Sequence, residues 1–240
     1  MQINDLDLRV IPLSETHIHE RTIPEKVDHL TEKIKLQNLL KNPVIMVEER
    51  DKFIVIDGNH RVEALRKLSA RSVIAQIVNY SEVRVESWNR LVKTDIEKLQ
   101  KIIPMKKDVS PSDCWVEYQG EIYDVGLEKR DVLEILEKLK NEFEIEYISG
   151  QNREFPVICY KPFSKKEIIE SAIKKNPLPP KSTRHILRFR ILGIRFPLKL
   201  LINEKPARLN EYLKELLKKR QEEGSIRTYE EKVLMLDEFE

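Results

Sequence analysis

A change in the spacing of apolar residues across Ile54–Leu68, which reads IVIDGNHRVEALRKL, constrains the fold more than any other feature. The apolar run stops at Asp57, and after Gly58 the apolar residues recur three or four positions apart. This pattern predicts a strand that passes through a glycine into a helix. The first backbone N–H groups of such a helix have no partner within it, so they attract anions, phosphate above all.

Charged and polar side chains crowd this predicted junction. His60 and Arg61 fall in the first helical turn, where they add charge-assisted donors beside the backbone of Gly58 and Asn59. Asp57 cannot bind phosphate directly, but its carboxylate could cap the helix, hold a metal ion or orient a hydroxyl or a histidine. A capping carboxylate beside two solvated basic side chains explains the same letters, so composition leaves both interpretations open.

A second polar cluster, THIHER, precedes the first predicted helix. His17 and His19 have the spacing of a metal-binding pair, but no third ligand follows at a suitable distance in sequence. Glu20 comes next, and a loop glutamate near a phosphate site can act as a general base. An exposed surface carboxylate is the alternative.

A third cluster, PPKSTRH, spans Pro179–His185. Two prolines stiffen this loop, and lysine, serine, threonine, arginine and histidine then follow in succession. This density of donors favours recognition of a phosphate or a carboxylate, and a solvated basic loop is the alternative.

The composition is that of a globular protein. Apolar residues make up 40% and charged residues 35% of 240 residues, enough for one large domain or two small ones. The net charge of +2 argues against strong non-specific binding of nucleic acid. Cys114 and Cys159 form no CxxC motif, and we expect two buried free thiols. We expect a cytoplasmic protein without membrane contact, because neither a signal peptide nor an apolar run of about 18 residues is present.

The order of predicted elements indicates an α+β protein with two lobes. The polar segment 106–113 suggests a boundary, which gives lobes at 1–105 and 106–240. Hairpins are predicted at 44–56, at 114–125 and at 188–201 around Gly193. A charged amphipathic helix is predicted around Leu209 and Leu213, and a closing strand at 233–236. P-loop, GxGxxG, HExxH and GxSxG motifs are all absent.

IDGNHR resembles the DGxHR element of the ParB/sulfiredoxin-like fold, and specifically the free L-serine kinases built on that fold. Three further motifs match the same kinases in order and approximate spacing: His19-Glu20, Ser87-Trp88 and PKSTRH at 180–185. The C-terminal part, FPLKLL through YEEKVLML, is similar to the bacterial serine kinases of siderophore gene clusters. The resemblance therefore covers nearly the whole chain.

The resemblance implies a ParB/sulfiredoxin-like N-terminal lobe and a second mixed α/β lobe that completes the substrate site. It implies transfer of a phosphoryl group from ATP, or alternatively ADP, to the hydroxyl of free L-serine, with Mg²⁺ as cofactor. Glu20 is then the general base, and Asp57 orients the serine hydroxyl or the metal. The implied phosphate-binding residues are Gly58, Asn59, His60 and Arg61, and the implied substrate-binding residues are Glu25, Ser87, Trp88, Thr183, Arg184 and His185.

One position departs from the family pattern. Archaeal members carry a second functional glutamate where this chain has Lys26, and Glu25 lies one residue earlier. Either the loop is shifted by one residue, or Glu25 substitutes imperfectly for that glutamate.

Two other proteins of this fold are alternatives. A sulfiredoxin is excluded, because its chemistry needs a cysteine where this chain has Asn59. A ParB-like DNA-binding or nucleotide-switch protein would need a GERR-like motif and a basic helix-turn-helix, and neither is seen. The basic run Lys214–Arg220 is expected to be the solvated face of an amphipathic helix, and a regulatory role in DNA binding is the alternative.

Overall fold

The computed structural model describes residues 7–107, 110–148 and 154–229. The strands among these residues, in chain order, are β1 (Leu8–Pro12), β2 (Thr16–Ile18), β3 (Leu39–Leu40), β4 (Val44–Glu49), β5 (Lys52–Asp57), β6 (Ser72–Ile77), β7 (Arg84–Glu86), β8 (Asn89–Val92), β9 (Lys106–Lys107), β10 (Cys114–Tyr118), β11 (Glu121–Asp124), β12 (Ile145–Ile148), β13 (Val157–Tyr160), β14 (Arg184–Ile186) and β15 (Phe196–Pro197). The helices are α1 (Pro24–Gln37), α2 (Asn59–Lys67), α3 (Ile96–Gln100), α4 (Lys129–Leu139), α5 (Lys165–Ile173), α6 (Leu198–Asn203) and α7 (Pro206–Glu222).

The chain divides into two compact units that do not follow the predicted boundary. The first unit combines Met1–Glu82 with Leu187–Glu240, and the second unit is Val83–Ile186. The polar segment at 106–113 lies inside the second unit, because β9 pairs with β11 and Ser112 N donates to Asp124 Oδ1 at 2.6 Å. That residues 1–105 form one lobe and residues 106–240 a second lobe that completes the substrate site stays a prediction.

The first unit is built on a five-stranded mixed sheet in the order β1-β6-β4-β5-β2. The predicted hairpin at 44–56 is confirmed as β4 and β5, with Arg50 and Asp51 at φ of 51° and 59° in the turn. Strand β2 runs parallel to β5, with Ile18 opposite Val55. Helices α1 and α2 contact each other and bury one apolar face each in the same core. This arrangement sets the ends of β2 and β5 beside the start of α2.

The predicted hairpin at 188–201 is wrong. Residues 188–195 form no strand, Phe196–Pro197 pairs with β3, and α6 follows at once. The backbone of this segment bonds to side chains of the sheet, since Ile191 N donates to Gln76 Oε1 at 3.0 Å and Gly193 N to Asn42 Oδ1 at 2.8 Å. The predicted amphipathic helix is confirmed as α7, and the predicted strand at 233–236 lies outside the described residues.

The second unit is built on a six-stranded antiparallel sheet in the order β12-β8-β13-β10-β11-β9. The predicted hairpin at 114–125 is confirmed as β10 and β11, which turn at Gly120. Both cysteines lie on neighbouring strands of this sheet as buried free thiols, as expected. Burial raises the pKa of the Cys114 and Cys159 thiols to about 12.

None of the helices in the described residues is long and apolar enough to cross a bilayer.

Candidate functional site

The junction of β5 and α2 has the geometry that the spacing of apolar residues predicts. The strand ends at Asp57, the helix begins at Asn59, and Gly58 between them has φ of 96°. A Cβ atom on Gly58 would lie 2.9 Å from Val44 Cγ1 and 3.0 Å from Arg61 Cζ. Glycine is therefore required both for the left-handed backbone and for the space that it leaves.

Arg61 points inward from the first turn of α2 and is only 8% exposed. Its Nη1 donates to Pro43 O at 2.5 Å and to Asn42 O at 3.3 Å, and its Nη2 donates to Asp57 Oδ2 at 3.2 Å. The guanidinium thus fastens the chain before β4 to the end of β5. Its role as a phosphate donor stays a prediction.

Asp57 also meets an arginine that the sequence analysis missed. Arg190 Nη1 donates to the same Asp57 Oδ2 at 2.5 Å, and the Arg190 side chain is 42% exposed. Arg190 lies in the segment wrongly predicted as a hairpin, and no local pattern marks it. One carboxylate oxygen therefore accepts from two guanidinium groups at the start of α2.

The loop that carries Glu20 is attached to this junction on both sides. Before Glu20, His19 Nδ1 donates to Val55 O of β5 at 2.5 Å. After Glu20, Ile23 N donates to His60 Nε2 of α2 at 3.0 Å. These two bonds fix the loop to the strand and the helix of the IDGNHR motif.

Glu20 is 8% exposed, which excludes the exposed surface carboxylate considered above. Its Oε1 lies 3.4 Å from His19 Nε2. Because His19 donates to Val55 O through Nδ1, Nε2 is the ring atom that faces the Glu20 carboxylate. The THIHER cluster thus supplies a fixed carboxylate with a buried imidazole beside it.

Glu25, the HxH pair and Asn59 are the remaining residues of interest in the first unit. Glu25 is exposed in the first turn of α1. His17 and His19 lie in the described part of the chain, where no group of three or more His, Cys, Asp or Glu side chains is placed to hold a metal ion. Asn59 is buried, and its Oδ1 accepts no hydrogen bond from any described residue.

In the second unit, the two remaining motifs meet through a pair of short strands. Strand β14 pairs with β7, so that Arg184 lies opposite Glu86 and His185 opposite Val85. This pairing brings Ser87-Trp88 beside the PKSTRH loop. Arg184 Cζ lies 4.8 Å above the Trp88 ring, in range for a cation–π contact. Of the predicted neighbours, Thr183 and His185 are buried, and Ser87 is half-buried.

Arg90 connects these two motifs and was not found from the sequence. It is 1% exposed, its Nη1 donates to Trp88 O at 2.5 Å, and its Nη2 donates to Lys181 O at 2.6 Å. Tyr160 reinforces the connection, since its hydroxyl donates to Ser182 O at 2.9 Å. An arginine within the otherwise apolar strand segment RLV was the one available signal.

Comparison with known proteins finds a family that matches the N-terminal part and relatives that match most of the chain. The ParB N-terminal domain family matches residues 1–88. An ATP-dependent L-serine kinase of Staphylothermus marinus is 29% identical over 71% of this chain and 82% of its own length. A ParB-like protein of Sulfolobus acidocaldarius is 26% identical over 72% of this chain and 87% of its own. The ADP-dependent L-serine kinase SerK of Thermococcus kodakarensis is 22% identical over 77% and 88%.

A solved structure gives the fold. SbnI of Staphylococcus aureus, with a C-terminal truncation, superposes with a TM-score of 0.78 at 21% identity, and the match covers 89% of this chain and 97% of that one. The expected α+β fold and the expected resemblance to L-serine kinases with a ParB N-terminal domain are both confirmed.

Proposed function

We propose that this homologue of L-serine kinases transfers a phosphoryl group from ATP or ADP to the hydroxyl of free L-serine, giving O-phospho-L-serine. The observation that carries the proposal is the double attachment of the Glu20 loop to the IDGNHR junction. Phosphoryl transfer depends on positioned donors for the phosphates and a group that accepts the proton of the attacking hydroxyl. The first unit holds both kinds of group in one fixed arrangement.

The phosphates of the nucleotide bind at the start of α2. The backbone N–H groups of Gly58, Asn59 and His60 precede the first bond of the helix, from Val62 N to Gly58 O, and the first turn contains no acidic side chain. His60 Nε2 accepts from Ile23 N, so a neutral His60 ring carries its proton on Nδ1. Arg61 contributes positive charge close behind these donors.

Glu20 accepts the proton of the serine hydroxyl as the new oxygen–phosphorus bond forms. At the same time, the bond from that phosphorus to the bridging oxygen of the nucleotide breaks, and the nucleotide leaves one phosphate shorter. His19 holds the Glu20 loop on Val55 through Nδ1 and faces the Glu20 carboxylate with Nε2. Asp57 orients the hydroxyl or the metal.

Serine recognition is assigned to residues of the second unit. The Arg184 guanidinium matches the serine carboxylate in charge and shape, and Trp88 supports it from one face. Ser87, Thr183 and His185 are the remaining proposed contacts. Glu25, in the first unit, is proposed as the counterpart of the family's second glutamate.

Mg²⁺ is proposed as the cofactor. Mg²⁺ favours oxygen ligands and is often bound through one or two protein groups together with substrate phosphates. Asp57 and the unpartnered Oδ1 of Asn59 fit this requirement, and they would hold the ion next to the phosphates. The ion would neutralise the charge of the transferred group.

ATP is the proposed donor and ADP the alternative, because relatives of each kind match the chain and the C-terminal resemblance is to ATP users. A cytoplasmic location and the absence of a nucleic-acid partner stay predictions.

The test is direct. Purified protein is incubated with L-serine, Mg²⁺ and either ATP or ADP over a range of temperatures, and phosphoserine is measured. If no phosphoserine forms with either nucleotide, the proposed kinase activity is wrong. Binding of DNA at physiological salt would then favour the ParB-like alternative.

Glu20→Gln tests the base, with Glu15→Gln as the matched control because Glu15 is exposed in the short 3-10 helix just upstream. Loss of the base is expected to lower kcat by about 10²- to 10⁴-fold and to leave nucleotide affinity nearly unchanged, whereas Glu15→Gln keeps full activity. If Glu20→Gln keeps most of its turnover while Asp57→Asn is inactive and still binds nucleotide, Asp57 is the base instead.

A further inference from the structure

The segment that carries Arg190 is held on both sides of that residue by one buried side chain. Gln76 of β6 is 1% exposed; its Nε2 donates to Phe189 O at 3.3 Å and its Oε1 accepts from Ile191 N at 3.0 Å. A buried amide that uses both of its ends on the two neighbours of Arg190 fixes the path of the backbone at that residue.

The rest of the segment is fastened in the same way. Asn42 Oδ1 accepts from Gly193 N at 2.8 Å, and Arg195 N donates to Lys41 O at 3.0 Å. From α7, Arg220 Nη2 donates to Ile194 O at 2.8 Å. Arg190 is therefore delivered to the β5–α2 junction by a fixed strap, which we define as residues 189–195.

Two arginines meet one carboxylate at the β5–α2 junction. Arg61 and Arg190 both donate to Asp57 Oδ2, so two guanidinium groups share one carboxylate beside the positive end of the α2 dipole. The two arginines differ in exposure, since Arg61 is 8% exposed and the Arg190 side chain 42%. Among the described residues, Arg190 forms its hydrogen bond and ion pair with Asp57, through Nη1.

From this geometry we propose that Arg190 is a phosphate-binding residue that Asp57 holds in place until a nucleotide binds. When the nucleotide binds, the Arg190 guanidinium releases Asp57 and binds an oxygen of a nucleotide phosphate beyond the α-phosphate. This inference rests on the function proposed above. An arginine suits this task because its planar fork binds two phosphate oxygens at once.

The test compares Arg190→Gln with Arg188→Gln. Arg188 is an exposed arginine two residues earlier, so its replacement makes the same change in charge nearby. Calorimetry with ADP and with AMP, in EDTA to exclude Mg²⁺, is expected to show ADP affinity about 10- to 100-fold weaker for Arg190→Gln, a typical loss for one charge-assisted contact. AMP affinity should change less, and Arg188→Gln should resemble wild type.

Equal ADP affinities for Arg190→Gln and Arg188→Gln would overturn the inference while leaving the kinase intact. A wild-type protein that binds no nucleotide would instead refute the proposed function. Arg190→Lys keeps the charge without the fork and should fall between wild type and Arg190→Gln, which guards against a folding defect in the glutamine variant.

Asp57→Asn separates phosphate binding from a role in which Arg190 only positions Asp57. If Arg190 binds phosphate, Asp57→Asn releases it and leaves ADP affinity in EDTA equal to or higher than that of wild type. If Asp57→Asn weakens ADP as much as Arg190→Gln does, the positioning role is right and the proposal is wrong.

Discussion

Each unit contains a buried arginine that fastens loops within that unit, and the two arginines differ in what they hold. Arg61, in the first unit, bonds two carbonyl oxygens and the carboxylate of Asp57. Arg90, in the second unit, bonds backbone carbonyls and lies 4.3 Å from the centre of the Tyr147 ring. In both, Nε is buried without a described partner. Arg61 thus has the Asp57 carboxylate as an ionic partner at the β5–α2 junction, whereas the hydrogen bonds of Arg90 to described residues go to backbone carbonyls.

The comparison separates buried arginines from accessible ones. Beside each buried arginine stands a half-exposed one: Arg190 near Arg61 and Arg184 near Arg90. A guanidinium that is closed off from solvent is hard for a ligand to reach, whereas a half-exposed one can be reached from outside the protein. We therefore expect ligand contacts at Arg190 and Arg184, and mainly structural effects at Arg61 and Arg90.

The largest expected effect is that of Arg90→Met, which removes the donor from Trp88 O and Lys181 O in a buried setting. Unsatisfied buried carbonyls and the lost contact with Tyr147 should together lower the free energy of unfolding by about 3 kcal/mol. Urea denaturation measures this change. Arg84→Met is the control within the same unit, because Arg84 is exposed and paired with Glu86 near the surface, and it should cost well under 1 kcal/mol.

Arg61→Met should have a somewhat smaller effect, about 2 kcal/mol. Its carbonyl partners are buried as well, but Asp57 is partly exposed and keeps Arg190 as a partner. Denaturation and calorimetry with ADP should be measured on the same preparation. Unchanged stability with abolished ADP binding would break the comparison, because it would make Arg61 a direct phosphate ligand, as the sequence resemblance implies.

Local patterns made the junction predictable. The strand, Gly58 and the helix follow from residues within one short stretch, because a change of apolar spacing and one glycine suffice to specify them. The strap was mispredicted because its backbone partners, Gln76 and Asn42, lie more than 100 residues away in sequence. Arg90 was missed for the same reason, since its partner Lys181 is 91 residues distant.

The motifs themselves were found, but the contacts that orient them were not. His19 and His60 were visible as residues of interest, yet nothing local indicated that they bond to Val55 O and Ile23 N. Such bonds depend on how β2, β5 and α2 pack, which sequence spacing does not specify. The motifs were thus visible in the sequence, whereas the hydrogen bonds that orient them were not.

The smallest expected effect is a loss of stability at alkaline pH that comes from the two buried thiols, which both belong to the second unit. Both cysteines of the chain lie in the second unit, where burial raises the pKa of Cys114 and Cys159 to about 12. In the unfolded chain a thiol loses its proton near pH 8.5. The stabilisation by the protonated thiols is therefore complete below that pH and is lost progressively as the pH rises toward the folded value.

At pH 9.5 the loss should amount to about 1 kcal/mol per thiol relative to pH 7.5. This pH stays below the ordinary pKa of Tyr80, a first-unit residue whose pKa burial also raises, so the tyrosine adds little. Urea denaturation at the two pH values measures the difference for wild type, Cys114→Ala, Cys159→Ala and the double variant. Each alanine should remove about half of the thiol contribution, whatever it costs in packing, because only the change with pH is compared. A double variant that loses as much stability as wild type between the two pH values would show that the thiols are not held protonated, and that the alkaline sensitivity lies elsewhere in the protein.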